Sequence, residues 1–510
     1  MTSQQQKRLK PGLVFLIALV VLSLIAALIW PLLNHWGQSK AEAAGGRVNI
    51  GASQAPNSLD IRTESGAAVT QALLGNVYQT LVGLDENGQP TAGLASSWDR
   101  SSDGLTYTFH LRSGETFDDG NTVDSNAVLW SMQQIIKNKY LDYEKLDNLD
   151  KVTNPDTNTV VMELKTPDFR LPSMLTSRAG IVYNRGARVN YSTQSAGSGP
   201  YTVESFEPGS RLVLRKSQTY RGPHSAKSAQ IIFTYKAQSA GQAQQVADGK
   251  LDAAVDLSGQ EASAARNIKQ GVTLSTGVSD QNLVLAFNHS KTAITSDERF
   301  RQSIRYALDR QAVADTSGGT AQVLNGPLNK LSPAYDDGDN PFPHDTQKAL
   351  GLASYFNPSF YGGRIRLVYE DSLGQAVGDS IKDQLKQVGI PVEVTLVDHN
   401  TFQDRVVNRH DYELTLLTMS NQDVEQFSKP DSVMLYDDPE SQQIFRLVQG
   451  ANSKESYTSQ LKQYAHMLSQ KSPADWLSVK APVNMYRPSL TGLSNNMTES
   501  YLPLWQLQMH

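Results

Sequence analysis

Residues 364–397 read RIRLVYEDSLGQAVGDSIKDQLKQVGIPVEVTLV, and their apolar pattern indicates the fold class of a large part of the chain. The runs 364–370 and 392–397 have the length and composition of strands. Between them, apolar residues recur at the spacing of one helix face, at Val377, Ile381, Leu385 and Val388. Gly389 follows, where a helix commonly ends. A strand, a helix and a strand joined by short links predict an α/β unit with a parallel pair of strands.

Similar patterns recur on both sides of this unit. Further strands are predicted over residues 47–53, 105–111, 160–164, 201–206, 211–216, 283–288 and 412–417. Helices are predicted over residues 67–77, from Asp124 or Ser125 to Lys137, and after Ser296 or Asp297. Hairpin turns are predicted at Asn87-Gly88 and at Pro208-Gly209. These elements predict at least two strand–helix lobes, with a hairpin-rich segment near residues 80–195 between them.

Composition limits the classes of protein to which the chain can belong. Its 510 residues are enough for about three domain-sized units. The 46 Lys and Arg residues against 51 Asp and Glu residues give a net charge of −5, which is unlike a nucleic-acid-binding protein. The chain contains no Cys, which excludes disulfides, a catalytic thiol, thiolate metal sites and a cysteine-linked lipid anchor. A soluble, loop-rich body is therefore expected after the N-terminal segment.

The N-terminal segment differs from the rest of the chain. Leu13–Trp30 is an apolar run with a single polar side chain, and basic residues precede it. We predict a transmembrane anchor over residues 13–33, with residues 1–12 as a cytoplasmic basic tail and residues 34–46 as a linker. The alternative is a signal peptide that is cleaved near Ala41-Glu42-Ala43. Both interpretations place the body outside the cytoplasm.

No arrangement of residues typical of catalysis or metal binding stands out. The His residues are scattered, and none forms a metal-binding pair such as H-E-x-x-H. Ser459-Gln460-Leu461-Lys462 matches the S-x-x-K motif of penicillin-binding proteins, but the companion motifs S-D-N and K-T-G are missing. Ser459 also lies in a polar helical stretch that is typical of a surface helix. We therefore expect a protein that is not an enzyme and that needs no cofactor.

Seven segments between about residues 50 and 310 follow one another in a recognisable order. They are Ser58-Leu59-Asp60, Tyr78–Val82, PTAGLASSW at 90–98, TYTFHLRSGETFDDGNTV at 106–123, residues 197–216, ADGKLDAAV at 247–255, and Phe287-Asn288 with residues 297–310. In this order they resemble the extracellular solute-binding proteins of family 5, the oligopeptide and dipeptide receptors of ABC importers. Weaker similarity continues to the end of the chain. One such match would carry little weight, whereas seven in order are a specific signal.

The resemblance implies an α/β, bilobal fold of the periplasmic-binding-protein type, class II, whose lobes close on a hinge like a Venus flytrap. An extra domain is inserted into one lobe, and the N-terminal transmembrane helix precedes the body. Lobe I would be discontinuous, over residues 47–74, 196–282 and 484–510. The inserted hairpin-rich domain would cover residues 75–195, and lobe II would cover residues 283–483.

The resemblance also implies ligand-binding residues at strand ends that border the cleft between the lobes. These residues are Ser53, Gln54, Phe287, Asn288, Thr418, Met419, Ser420, Asp423 and Tyr486. Peptide receptors of the family often have Gly-Trp followed by Ala-Asp, and this Asp holds the α-amino group of the ligand. Here residues 418–423 lack Gly-Trp, and Asp423 is one position out of register with the family's Asp. The expected ligand is a peptide or a different solute, such as a modified peptide, a sugar or a metal chelate.

The implied function is the capture of oligopeptides or dipeptides, without turnover, and their delivery to a membrane permease. The expected partners are the solute, the permease subunits with their cytoplasmic ATPase, and the membrane through residues 13–33. No nucleic acid is expected as a partner. The protein is expected to be a monomer at the extracytoplasmic face of a bacterial plasma membrane, or secreted or periplasmic if the N-terminal segment is cleaved. Two alternatives remain open: a membrane-anchored sensor on the same fold that binds a non-peptide solute, and a surface serine hydrolase with Ser459 as its nucleophile.

Overall fold

The computed structural model describes residues 46–85, 87–235, 241–257, 259–316, 321–338, 340–357, 363–497 and 501–510. The predicted cytoplasmic tail (1–12), transmembrane segment (13–33) and nearly all of the linker (34–46) lie outside the described residues. Among the helices of the described residues, none is both long enough and apolar enough to cross a bilayer. The described body is a mixed α/β fold whose strands form five sheets.

The largest sheet has seven strands, and we call the body around it lobe I. Numbered along the chain, its strands are β1 (Arg47–Ala52), β8 (Tyr201–Glu207), β9 (Arg211–Lys216), β10 (Gln230–Thr234), β11 (Ala253–Leu257), β12 (Thr273–Thr276) and β19 (Val483–Tyr486). Their order in the sheet is β12-β19-β11-β1-β10-β9-β8. The central strand β1 pairs in parallel with β10 and β11, and its Val48 and Ile50 are fully buried. Helices α4 (Gln242–Ala247) and α5 (Gly259–Asn267) cover one face of the sheet.

The second sheet has six strands and forms the centre of lobe II. Its strands are β13 (Asn282–Phe287), β14 (Ala321–Val323), β15 (Ile365–Glu370), β16 (Val392–Val397), β17 (Leu414–Met419) and β18 (Ala474–Lys480), in the order β14-β18-β13-β17-β15-β16. The helices of this lobe are α6 (Glu298–Ala307), α7 (Arg310–Asp315), α8 (Thr346–Ala353), α9 (Gln375–Gln387), α10 (His399–Phe402), α11 (Pro439–Gln449) and α12 (Lys454–Lys471). Strands β15 and β16 are parallel, and α9 connects them. The α/β unit predicted from residues 364–397 is therefore confirmed.

The inserted domain is built on a four-stranded antiparallel sheet. Its strands, in the order β4-β5-β7-β6, are β4 (Ala95–Arg100), β5 (Thr106–Leu111), β6 (Leu149–Asp156) and β7 (Thr159–Leu164). Helix α2 (Ser125–Asn138) begins after Asp124, whose side chain accepts a hydrogen bond from Ala127 N, as predicted for a helix cap. The predicted hairpins are also present: β2 (Val82–Leu84) pairs with β3 (Pro90–Ala92), and β8 pairs with β9.

The remaining α-helices and strands of the described residues are α1 (Ala67–Leu73), α3 (Leu171–Met174), β20 (Leu490–Thr491) and β21 (Gln508–Met509).

Two predicted elements have bounds that differ from the structure by more than one residue. The helix predicted over residues 67–77 ends at Leu73, because Leu74 is extended and Gly75 turns the chain with a φ of 69°. The strand predicted over residues 412–417 lies at Leu414–Met419 instead. Leu414 is opposite Leu367 of β15, so pairing with the neighbouring strand decides where β17 starts.

The hydrophobic core is divided between two halves of the molecule. One cluster joins the lobe I sheet to the inserted domain and includes Ile50, Phe109 and Val255. Lobe II has separate clusters, to which Leu285 and Val284 belong. In the described residues, no cluster combines buried residues of lobe II with those of the rest of the body. Lobe I with the inserted domain is therefore one packed unit, and lobe II is another.

Two short segments connect these halves: residues 277–281 between β12 and β13, and residues 481–482 between β18 and β19. We call these two segments the hinge. They lie side by side, since Gly277 N donates to Pro482 O at 3.1 Å and Lys480 N donates to Gln281 O at 2.9 Å. Because so few residues cross, small backbone rotations in the hinge can move the halves as rigid bodies.

Candidate functional site

The cleft between the halves lies beside the hinge, where several strand ends meet. In lobe II, β15, β16 and β17 run in the same direction, so their C-terminal ends share one edge with the N-terminal end of β13. In lobe I, the C-terminal ends of β1 and β11 lie beside the start of β19. Both hinge segments leave from these edges, so the two edges border the same cleft. Strand ends of this kind commonly carry the ligand-binding loops of α/β proteins.

One part of the cleft is a concave space open to solvent, with a cavity volume of about 90 Å³, which we call the interlobe cleft. Its walls come from the inserted domain, the hinge and lobe II, and most of them are polar. They include Asn87, Gln89, Ser173, Thr176, Asp280, Ser420, Asn421 and Gln422. Amides and hydroxyls can both donate and accept hydrogen bonds. These walls therefore suit a polar solute that carries donors and acceptors.

Three amides hold the lobe II wall of the interlobe cleft in place. Asn329 Nδ2 donates to Asn282 Oδ1 at 2.7 Å and to Ser279 O at 3.0 Å. Asn421 Oδ1 accepts from Asn329 N at 2.9 Å, and Asn421 Nδ2 donates to Asn329 Oδ1 at 2.9 Å. Asn282 and Asn329 are each 1% exposed. This amide network ties the hinge, the loop at Asn329 and the cleft wall into one polar unit.

Replacement of Asn329 by alanine is expected to loosen this wall. The change removes the donor to Asn282 Oδ1 and to the carbonyl of Ser279, both in buried positions, which costs about 1–3 kcal/mol of unfolding free energy. Weaker solute binding is also expected, because Asn421 Nδ2 loses its acceptor, Asn329 Oδ1, and the Asn421 amide is then held less firmly. Urea unfolding and calorimetric titration measure the two effects, with Asn400→Ala at an exposed position of lobe II as the control. Wild-type stability and affinity in Asn329→Ala would contradict the role of the network.

The predicted site residues outside lobe II lie at two places in lobe I. Ser53 and Gln54 follow β1 and are exposed at the edge that borders the cleft. Ser53 Oγ donates to Asp256 O at 3.3 Å. Tyr486 is the last residue of β19, opposite Ala253, and it packs against the lobe I core. About 10 Å of strand separates it from the hinge end of β19, so the structure does not bring it beside Ser53.

The predicted site residues near the end of β17 have different surroundings. Thr418 and Met419 belong to the strand itself; Thr418 is exposed, and Met419 is buried in a lobe II cluster. Ser420 follows the strand and lines the interlobe cleft. Asp423 Oδ2 accepts a hydrogen bond from Ser420 N at 2.6 Å, which fixes the turn. Contact between Asp423 and a solute stays a prediction.

Phe287 and Asn288 lie at the other end of the lobe II sheet. Strand β13 is antiparallel to β17, and its first residue, Asn282, is opposite Met419 at the cleft edge. The length of β13 therefore places Phe287 about 17 Å from that edge. Phe287 is fully buried in the core, and Asn288 Nδ2 donates to two backbone carbonyls of lobe II. The structure does not bring these two residues to the cleft, and it places Asn282 there instead, because the sequence pattern did not reveal the direction of the strand.

His289, next to Asn288, makes the stability of lobe II depend on pH. Burial, together with the charge of Arg301, lowers the pKa of His289 from 6.5 to about 3. The unfolded state therefore binds more protons between these two values, and stability falls as the pH drops below 6.5. A loss of about 1–2 kcal/mol is expected near pH 5. Urea unfolding at several pH values measures this slope, which His289→Gln is expected to flatten; an unchanged slope in that variant would contradict the assignment.

The inserted domain contacts lobe II through a polar junction beside the interlobe cleft. Arg170, which is 6% exposed, pairs with Asp168 of its own domain at 2.7 Å and with Glu425 of lobe II at 2.6 Å. Phe169 N donates to Gln449 O at 2.8 Å. Burial would raise the pKa of Glu425, but the charges of Arg170 and a neighbouring lysine outweigh it and lower the pKa. Glu425 is therefore an ionised partner that links the two halves.

The S-x-x-K motif and possible metal ligands do not form a catalytic site. Ser459 and Lys462 lie on α12 and line a surface concavity of lobe II. Lys462 Nζ is 2.9 Å from Asp336 Oδ2. An ion-paired ammonium is not the base that a serine nucleophile requires. In the part of the chain that the structure describes, no group of three or more His, Asp or Glu side chains is placed to hold a metal ion.

Comparison with known sequences places the chain in a family. Residues 89–433, more than half of the chain, match the family of bacterial extracellular solute-binding proteins, family 5 Middle. The glutathione-binding protein GsiB of Escherichia coli (strain K12) is 26% identical over 345 residues, which is 66% of this chain and 66% of that protein. The chain thus matches just under two thirds of the length of this curated relative.

Comparison with solved structures shows the same fold. The structure of AgaA from A. tumefaciens R10 in complex with agropinic acid has a TM-score of 0.75 at 20% identity and covers 91% of this chain and 99% of that chain. DppA from Helicobacter pylori in complex with the peptide STSA has a TM-score of 0.74 at 16% identity, with 91% and 98% covered. The resemblance seen in the sequence is confirmed, and so is the expectation of a binding protein rather than an enzyme. The chain belongs to the bacterial extracellular solute-binding proteins of family 5.

Proposed function

We propose that this protein is the receptor of an ABC importer, which captures oligopeptides or dipeptides in the cleft and delivers them unchanged to a membrane permease. One observation carries the proposal: the molecule consists of two separately packed halves joined by the hinge. Each half keeps its own core, and the walls of the interlobe cleft come from both halves. Closure can therefore bury a solute without rearranging either core.

The proposed domain boundaries follow from these halves. Lobe I comprises residues 47–74, 196–282 and 484–510, the inserted domain comprises residues 75–195, and lobe II comprises residues 283–483. The sheet memberships support this division, because the strands of each sheet fall within one of these units apart from one terminal residue each of β13 (Asn282) and β19 (Val483). The hinge lies where the ranges of lobe I and lobe II meet. Closure of two such lobes is the movement of a class II Venus flytrap.

The cleft walls and the relatives support the proposed solute class. Gln89, Asn421 and Gln422 offer both donors and acceptors, which can pair with peptide N–H and C=O groups whatever the side chains are. GsiB is named for binding glutathione, and DppA was solved with a peptide. The similarity to AgaA favours a second candidate, a non-peptide solute such as agropinic acid.

We also propose that residues 13–33 hold the receptor at the extracytoplasmic face of the plasma membrane, with a cleaved signal peptide as the alternative. The apolar run Leu13–Trp30 and its basic flank support this. Such an anchor would keep the receptor close to its permease and raise their effective concentration. N-terminal sequencing of the protein from membranes distinguishes the anchor from the cleaved form.

Mass spectrometry of the small molecules released from freshly purified protein tests the solute class. A mixture of peptides is the expected result. A single non-peptide compound would replace the peptide in the proposal and leave the receptor role intact. If no solute is released, and calorimetry detects no binding of a dipeptide or oligopeptide library, peptide capture is wrong.

Exchange of Asp423 for asparagine tests whether this carboxylate holds the α-amino group of a peptide. Asparagine can still accept the hydrogen bond from Ser420 N, so the turn is retained. If Asp423 contacts the amine, the loss of its charge is expected to weaken peptide binding about tenfold. An N-acetylated peptide is the control, because it should bind both forms equally. Unchanged calorimetric affinity for the free-amine peptide would remove Asp423 from the site.

A further inference from the structure

A second compartment of the cleft lies between the inserted domain and lobe II, and its walls are largely apolar. Its cavity volume is about 310 Å³, against about 90 Å³ for the interlobe cleft. Trp98 and Phe169 of the inserted domain and Tyr457 of lobe II form its aromatic walls, so we call it the aromatic pocket. The rings of Phe169 and Tyr457 stack across the two halves with centroids 5.2 Å apart. The two halves together therefore give this pocket its shape.

The aromatic pocket adjoins the interlobe cleft. The lining residues that the two spaces share are Gln89, Pro90, Ser173, Pro333 and Tyr457. Because the same side chains border both spaces, a solute in the interlobe cleft lies next to the pocket and can extend one group into it. Trp98, Phe169 and Tyr457 are only partly buried, so ring surface is left for that group to cover. Covering apolar surface of this kind is favourable.

The charged residues around the aromatic pocket are of one sign. Among the described residues that line it, Arg100, Arg170 and Lys454 are cations, and none is a carboxylate. Arg170 is already paired with Asp168 and Glu425, and Lys454 is exposed to solvent, so neither needs an acidic partner from the solute. A basic side chain in the pocket would lose water and meet no counter-charge, which is unfavourable. The pocket therefore suits an uncharged, apolar group.

We propose that the aromatic pocket holds one bulky apolar side chain of the bound peptide, such as that of phenylalanine, and rejects a basic one. Pockets for small molecules have volumes of about 300–1,000 Å³, so this one has room for a side chain rather than for a whole oligopeptide. Its flat aromatic walls suit edge-to-face and offset contacts with another ring.

This inference rests on the proposed function, because it assigns a second compartment of the same cleft. An occupant contacts the inserted domain and lobe II together, so it favours the state in which the halves are closed. The inserted domain is then part of the binding site rather than only a support for lobe I.

Singly substituted tripeptides test the assignment on the full-length protein. Phenylalanine or lysine replaces alanine at each position of trialanine in turn. Calorimetric titration is expected to show that one of the three phenylalanine peptides binds about tenfold more tightly than trialanine, because its ring is buried in the pocket. The lysine peptide substituted at that same position is expected to bind no more tightly than trialanine.

Two variants change the wall and the charge of the pocket separately. Trp98→Ala is expected to remove most of the advantage of the phenylalanine peptide, because it removes one aromatic wall. Lys454→Glu is expected to improve the binding of the lysine peptide relative to trialanine, because it places a carboxylate at the pocket. Lys382→Glu, at an exposed lysine of α9 in lobe II, is the control for the charge and should keep both preferences.

Equal binding of trialanine and all three phenylalanine peptides would overturn the assignment. A lysine peptide that binds as tightly as its phenylalanine counterpart would do the same, and so would a full phenylalanine advantage in folded Trp98→Ala. The first two comparisons use the wild-type protein, so they decide the question even if a variant does not fold. Failure of the proposed function gives a different result: none of the tripeptides binds, and the assignment falls with it.

Discussion

Replacement of Asp475 by alanine is expected to lower the unfolding free energy of lobe II by about 3–5 kcal/mol, because it leaves buried charges without their partner. Asp475 is fully buried, and its Oδ1 accepts hydrogen bonds from Arg305 Nε at 3.2 Å and from Arg310 Nη2 at 2.6 Å. Both arginines are buried as well. Without the carboxylate, two positive charges lie side by side in the core of the lobe, and neither reaches water.

Urea unfolding followed by circular dichroism measures this effect. Asp475→Asn keeps the shape of the side chain and loses its charge, so it is expected to destabilise lobe II nearly as much as alanine does. Asp431→Ala, at an exposed aspartate of the same lobe, is the matched control and is expected to change stability by less than about 0.5 kcal/mol. Equal midpoints for Asp475→Ala and Asp431→Ala would show that the ion pairs do not stabilise the lobe.

Exchange of Glu425 for glutamine is expected to raise the dissociation constant of the solute about tenfold. The change removes the charge through which lobe II holds Arg170 of the inserted domain, at 2.6 Å. In the proposed closure the solute binds the closed state most tightly, so a less stable closed state lowers the affinity. Calorimetric titration with the solute that co-purifies measures the effect.

Lys429→Ala is the matched control for this prediction. Lys429 Nζ lies 2.7 Å from the other oxygen of Glu425, but both residues belong to lobe II, so this ion pair does not cross between the halves. Its loss is expected to leave the affinity unchanged, since exposed pairs of this kind contribute little. If Glu425→Gln also binds with wild-type affinity, the junction does not contribute to closure.

Helices, strands and turns could be predicted because the residues that determine each of them lie close together in the sequence. The helix face and helix stop in residues 364–397 lie within a few turns of one another, and the structure has the strand, helix and strand there. Asp297, one of two predicted caps, accepts a hydrogen bond from Arg299 N at the start of α6. The hairpin turn at Asn87-Gly88 likewise needs only its own residues.

Contacts between distant segments could not be predicted from such patterns. Arg305 and Asp475 are separated by 170 positions, and Arg170 and Glu425 by 255 positions. The apolar periodicity of one element does not show which distant residue it will contact. It does not show the direction of a strand in its sheet either. The end of β13 that borders the cleft was therefore expected at Phe287, whereas it lies at Asn282.

The candidate site was only partly predictable for the same reason. Ser420 was found through the resemblance, and it lines the interlobe cleft. The amides of Asn329 and Asn421 were missed, because an Asn in a loop has the same sequence pattern whether it forms a turn or a network.

The distance between two spin labels across the cleft tests most directly whether two rigid halves close over a solute. The chain has no Cys, so pairs of cysteines can be introduced and labelled without background. Arg211 is exposed at the cleft edge of lobe I, far from the hinge strands, and Asn400 is exposed just after β16 in lobe II. A pair at Arg211 and Asp150, both in the half formed by lobe I and the inserted domain, is the control.

Double electron–electron resonance gives these distances with and without the solute that co-purifies. On saturation, the distribution for the pair at Arg211 and Asn400 is predicted to shift to shorter distances and to narrow, while the control pair stays unchanged. An Arg211–Asn400 distribution that is the same with and without bound solute, or a control pair that moves as much, would contradict rigid-body closure.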